Sequence, residues 1–200
     1  MTEYPLISYY LEGKDHKIIV DTGGTAPDGR RWMPYERTEK QSMEVQLERL
    51  GVDPLDIDTV ILTHLHWDHA GNNGLFSRAV FYVQRLECAD YNQPGVDVGT
   101  MSQTQYTPVD GDLELYPGIA LILTPGHSVG SQCVLVSTED GDRLLTGDLA
   151  PTYENWEAQP KIPNGGMYDY DIIMKSMRKA EKICSHILPG HDSRVFELYK

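Results

Sequence analysis

Thr63-His64-Leu65-His66-Trp67-Asp68-His69 follows directly on Thr59-Val60-Ile61-Leu62, a short apolar and β-branched run preceded by Asp56 and Asp58. A run of that kind between polar flanks reads as a buried strand that ends where the histidines begin. In extended backbone side chains alternate with a period of two, so His64 and His66 point to one side. Ala70-Gly71-Asn72-Asn73-Gly74 then supplies the small, turn-forming residues needed to bring Asp68 and His69 back toward the same point. Three imidazoles and a carboxylate within six residues are the donors that zinc or a similar divalent ion takes. A single histidine here would be read as part of a polar surface loop. Four donors at one strand end are read as a metal site.

One loop cannot surround two ions, so further donors are expected at other strand ends. Leu123-Thr124-Pro125-Gly126-His127 places a histidine just past an apolar strand. Leu144-Leu145-Thr146-Gly147-Asp148 does the same for an aspartate, and Ile187-Leu188-Pro189-Gly190-His191 for another histidine. The glycine before each donor lets the backbone approach closely and turn without Cβ strain. His16, in a hairpin turn, and His186, before a strand, have no donor pattern around them and are read as structural.

The rest of the chain fills in around these ends. Strands are expected over Leu6–Leu11, Lys17–Val20, Ala79–Val83, Leu113–Leu115, Ile119–Leu123, Cys133–Ser137, Arg143–Thr146 and His186–Leu188. Helices are expected over Thr38–Leu50, with Met43, Leu47 and Leu50 on one face, over Gln84–Tyr91, and over Tyr170–Cys184 with Ile173, Met177, Ala180 and Ile183 buried. Asn92–Gln105 is polar and reads as an irregular loop. Strands, helix, strands, helix suits two packed sheets with helices outside.

Composition narrows the function. Forty per cent hydrophobic and 24% charged residues over 200 positions suit one globular domain spanning 1–200. Thirty acidic against 17 basic residues give a formal charge of −13, and no basic stripe is present to displace counterions, so nucleic acid is excluded as a partner. No apolar run approaches the roughly 18 residues of a membrane span, and the N-terminus shows no secretory signal. Cys88, Cys133 and Cys184 form neither a disulfide framework nor a CxxC site, which suits a reducing cytoplasm.

Asp21-Thr22-Gly23, the His-x-His-x-Asp-His run, His127, Asp148 and His191, in that order, resemble the metallo-β-lactamase superfamily over most of the chain. The resemblance implies an α/β fold, an αββα four-layer sandwich. It implies His64, His66 and His127 around a first metal, Asp68, His69 and His191 around a second, and Asp148 bridging both. Two Zn2+ ions per chain are expected, with iron, manganese or cobalt as alternatives. Asp21 would orient ligands by hydrogen bonds. Thr124-Pro125-Gly126-His127-Ser128-Val129-Gly130, Glu154-Asn155-Trp156, Leu188-Pro189-Gly190-His191-Asp192 and Arg194-Val195-Phe196 further resemble the N-acyl homoserine lactonase branch.

That branch carries a tyrosine three residues after the bridging aspartate, where this chain has Pro151; Tyr153, two further on, either substitutes for it or packs. Only twenty residues precede Asp21, so either one sheet is expected to lack an edge strand or the chain begins late. The reaction implied is attack of a metal-bridging hydroxide on a small neutral lactone or ester, with Asp68 and Tyr153 as catalytic residues and Asp68 carrying the proton. Trp32, Met33, Trp67, Trp156 and Met167 are candidates for an apolar wall, and a homodimer is allowed. The alternatives are a thioesterase of the glyoxalase II kind and an iron-dependent oxidoreductase on the same fold.

Overall fold

In the computed structural model, residues 4–25, 34–89, 95–96, 102–166 and 168–198 are described. They form two compact units. One comprises Ser8–Val83 and Cys88–Pro108, the other Met1–Ile7, Gln84–Glu87 and Val109–Lys200. Each holds one sheet and its own apolar core.

In the first unit β1 (Tyr9–Glu12) pairs antiparallel with β2 (Lys17–Val20), and β2 pairs parallel with β3 (Thr59–Ile61), which pairs parallel with β4 (Val80–Gln84). β5 (Tyr106–Val109) lies at the edge, giving the order β1-β2-β3-β4-β5. Because β2, β3 and β4 are parallel, the residues following each emerge at one edge of the sheet. Asp21 and Thr63 both lie there.

The helix expected from Thr38 is divided. Thr38 and Gln41 form a capping box around a 3₁₀ turn over Glu39–Gln41. Ser42 then takes extended backbone and accepts the Val45 N–H, so α1 starts at Met43 and runs to Leu50. Gly51 stops it with φ 69°. Leu47 faces the core beside Ile19, Val60, Phe76 and Phe81, whereas Leu50, at the end of the apolar stripe, is 62% exposed.

In the second unit the sheet order is β10-β9-β8-β7-β6. β6 (Leu113–Tyr116), β7 (Ile119–Leu123), β8 (Gln132–Thr138) and β9 (Gly141–Gly147) form an antiparallel meander, and β10 (Ile187–Pro189) joins β9 in parallel. Two antiparallel steps restore direction. β7, β9 and β10 therefore run the same way, and the segments after them leave the sheet at one edge. The long helix α5 (Tyr170–Ile183), capped by Asp169, lays Ile173, Met177 and Ala180 on Ile122, Leu144 and Ile187. Ile183 was expected on that face but is 37% exposed, because the stripe runs out in the last turn.

Several short elements fall where the sequence reading places no strand or helix, β5 and a one-turn helix at Tyr153–Glu157 among them. β5 contains Pro108, which an edge position tolerates because an edge strand can leave an N–H position unpaired. α4 (Tyr153–Glu157) is a single turn capped by Thr152, with Trp156 as its one buried residue, too short to show a period. The short helices α2 (Trp67–Ala70), α3 (Arg85–Ala89) and α6 (Val195–Leu198) complete the described α-helices. No helix among the described residues is long and apolar enough to cross a membrane.

Candidate metal centre

In the first unit the donors hang on a buried aspartate. Asp21 ends β2 with φ 58°, a left-handed conformation that aspartate tolerates better than most side chains. Its Oδ1 accepts the Thr63 N–H at 2.7 Å and its Oδ2 the Thr63 hydroxyl at 2.8 Å, tying the end of β2 to the residue before His64. Oδ2 also lies 2.7 Å from His69 Nδ1. Thr63 donates to both Asp21 oxygens, so the carboxylate acts as acceptor and Nδ1 carries a proton toward it; in the neutral ring Nε2 then presents the lone pair. The turn that returns His69 is α2, which begins after His66. The His69 and Ala70 N–H groups donate to the His66 carbonyl at 3.0 and 3.1 Å.

His64 sits at the centre of the cluster. Its ring centroid is 4.4 Å from that of His66 and 4.1 Å from that of His69. Potential ligand atoms of His64 and His66, of His64 and His69, and of Asp68 and His69 each approach within 4.8 Å. Asp68 Oδ2 is 3.9 Å from His69 Nε2. Three buried or half-buried imidazoles this close would repel one another if protonated. Neutral rings aimed at a shared cation would not.

In the second unit three strand ends converge. Gly126 brings the chain off β7 with φ 134°, and a Cβ there would fall 2.4 Å from Ile173 Cα, so only glycine lets the loop lie against α5. Asp148 follows β9, and its carboxylate is shared. Oδ2 is 3.2 Å from His127 Nε2, and Oδ1 is 2.9 Å from His191 Nε2. His191 Nδ1 donates to the Pro5 carbonyl at 2.8 Å, which leaves Nε2 as the lone-pair nitrogen. A lone pair and a carboxylate oxygen at 2.9 Å are two acceptors, so a positive charge belongs at that contact, whether a proton or a metal ion. The donor set thus fits divalent cations in both units. His127 and His191 are each 7% exposed.

The His191 loop is strapped to α4. The His191 N–H donates to the Pro151 carbonyl at 2.8 Å, and the Tyr153 N–H to Asp192 Oδ2 at 3.0 Å. Burial would push the Asp192 carboxyl up, but hydrogen bonds from Arg194 and from two backbone N–H groups prevail and hold it below the usual range. The Arg194 guanidinium lies 4.5 Å over the Tyr153 ring, which also packs against the core beneath α5.

The structure differs from the sequence reading in the apolar wall. Trp67 (3% exposed) and Trp156 (7%) are interior residues, the former edge-on to Tyr35 at 5.3 Å. Trp32, Met33 and Met167 lie outside the described residues. Two neighbours of the candidate donors lie outside the sequence reading. Asn164 donates from Nδ2 to Asp148 Oδ2 at 3.1 Å, and Glu87, buried, accepts from the Ser128 hydroxyl next to His127. Asn164-Gly165-Gly166 is readable as a turn, but nothing in the spacing says that it faces Asp148.

A profile of the metallo-beta-lactamase superfamily matches residues 6–186. The chain belongs to that superfamily. It is 34% identical to an N-acyl homoserine lactonase of Bacillus cereus over 94% of its own length and 81% of the relative's. It is 33% identical to the N-acyl homoserine lactonase AiiA of Bacillus thuringiensis subsp. kurstaki, over 98% and 86% of the two chains. This places it in the superfamily's lactonase branch. Among solved structures, an N-acyl homoserine lactone hydrolase holding its product N-hexanoyl-L-homoserine at the catalytic metal centre superposes with a TM-score of 0.86 and 30% identity, over 98% of this chain and 85% of that one.

Proposed function

We propose that this metallo-beta-lactamase superfamily member hydrolyses N-acyl homoserine lactones at a pair of zinc ions. His64, His66 and His127 would hold one ion, Asp68, His69 and His191 the other, with Asp148 shared. The observation that carries the reading is Asp148, whose two carboxylate oxygens each face an imidazole nitrogen, one of them the His191 Nε2 that carries the lone pair in the neutral ring. Kinship at 34% identity to a lactonase over nearly the whole chain supports the substrate class. Imidazole and carboxylate donors suit zinc, although they also accept other divalent metals.

The bound ions would supply Lewis acidity and an ionisable water. The chain's own residues do the rest. Asp21 and the Pro5 carbonyl hold His69 and His191 in the tautomer that presents Nε2. Asp68, whose side chain is 14% exposed, is open enough to receive a proton and return it to the leaving alkoxide. The Tyr153 hydroxyl is the candidate donor to the carbonyl oxygen. Hydrolysis adds water across the acyl–oxygen bond and yields a carboxylate and an alcohol. The product is an anion, which a chain of formal charge −13 repels while its neutral substrate is not repelled. Three cysteines, none of them in a disulfide, suit a cytoplasmic enzyme.

The test is zinc-loaded protein with N-hexanoyl homoserine lactone, followed by acid release and by loss of the lactone. Ring opening that stops on chelation and returns with zinc is expected. Protein that holds two zinc ions yet turns over neither short- nor long-chain acyl homoserine lactones would overturn the assignment.

A further inference from the structure

A carboxylate that serves two ions must hold its plane, because rotation about its terminal bond takes both oxygens out of line together. That torsion is intrinsically broad. Something beyond the ligating histidines has to fix it. On the Asp148 Oδ2 side that group is Asn164, which comes from the segment between α4 and α5.

Asn164 Nδ2 is 3.1 Å from Asp148 Oδ2 and 3.3 Å from the Asp148 backbone carbonyl. One amide thus spans the side chain and the backbone of the same aspartate, which sets the carboxylate against a fixed frame. The amide itself cannot flip, because its Oδ1 accepts the Gly166 N–H at 2.9 Å. The same turn borders His127. A Cβ at Gly166 would lie 3.4 Å from His127 Cε1, so the turn passes against that ring. Asn164 and Gly166 together bracket His127 and Asp148.

We propose that Asn164 is a positioning residue that orients the Asp148 carboxylate for a second metal ion. The assignment rests on the dinuclear reading above. It is a positioning role, since the amide's N–H groups have their acceptors on Asp148 and its oxygen is engaged by Gly166. A group so committed does not polarise substrate. Hydrogen-bond partners of metal ligands commonly contribute 10- to 100-fold in affinity, because they remove the ligand's freedom before the ion arrives.

The experiment is a zinc titration against a competing chromophoric chelator on wild type, Asn164→Leu and Asn164→Gln, with the melting temperature of each metal-free protein. Leucine keeps the volume and removes the donor. Wild type is expected to bind two zinc ions. Asn164→Leu is expected to keep one binding step and to weaken the other about 10- to 100-fold, with the metal-free melting temperature unchanged. Asn164→Gln, which keeps the amide, recovers part of the loss. Should the leucine variant fail to fold, Asn164→Ala carries the same comparison. Two unaltered binding steps in Asn164→Leu, or equal losses in the leucine and glutamine variants, would overturn the role of Asn164 and leave the dinuclear reading intact. Wild-type protein that binds no zinc would overturn both.

Discussion

The segment His64–His69 and the trio His127, Asp148 and His191 supply the same kinds of donor by opposite means. The first packs four donors into six residues and holds them through one buried aspartate, whose carboxylate ties Thr63 and His69 together. The second collects three donors from positions up to 64 residues apart (191 − 127), because β7, β9 and β10 run in one direction and release their chains at one edge. A local cluster is set by spacing and a turn. A dispersed one is set by strand order. The local cluster should therefore tolerate the loss of one support better than the dispersed trio tolerates the loss of its shared carboxylate.

The comparison is broken most directly at Asp148. Replacing it by alanine removes the carboxylate whose two oxygens face two histidines, and several kcal/mol of lost charge stabilisation would correspond to about a thousand-fold in turnover. Steady-state kinetics with metal counting checks this. Asp21→Asn strikes the organiser of the local cluster and leaves its donors in place. A loss of about 10- to 100-fold in metal affinity is expected, read by chelator competition. If Asp21→Asn costs more than Asp148→Ala, the local cluster is the more fragile of the two and the comparison is reversed.

Gly126→Ala sharpens it on the side of the backbone. The new methyl would collide with Ile173 Cα and occupy a φ of 134°, so thermal unfolding should show about 1–3 kcal/mol of destabilisation. A neutral result would mean that α5 yields readily and that the His127 loop is less fixed than its neighbours. Tyr153→Phe has the smallest expected effect. With the ring held by Arg194 and the core, deleting the hydroxyl should leave stability and metal content unchanged and lower kcat by less than about ten-fold.

Much of the fold was legible because it obeys short-range rules. β2 and β7 lie where alternation and apolar runs put them, and Gly51 ends α1 as expected. The misses have local causes. Ser42 caps a helix that the apolar pattern alone would extend to Thr38. Leu50 and Ile183 fit the period but stand past the end of the surface their helices cover. α4 has one buried residue, and one residue has no period.

By itself the sequence determined the identity of the donors, the compactness of the His64–His69 cluster and the kinship, because residue chemistry and near-neighbour spacing are properties of the chain. Tertiary structure alone decided which imidazole nitrogen faces outward, since that depends on Asp21 and the Pro5 carbonyl arriving from distant segments. It also decided that the Asp148 oxygens are divided between two histidines and braced by Asn164. Hydrogen bonds are directional and reach about 3 Å. Only the packed sheet and its loops bring such partners to that range.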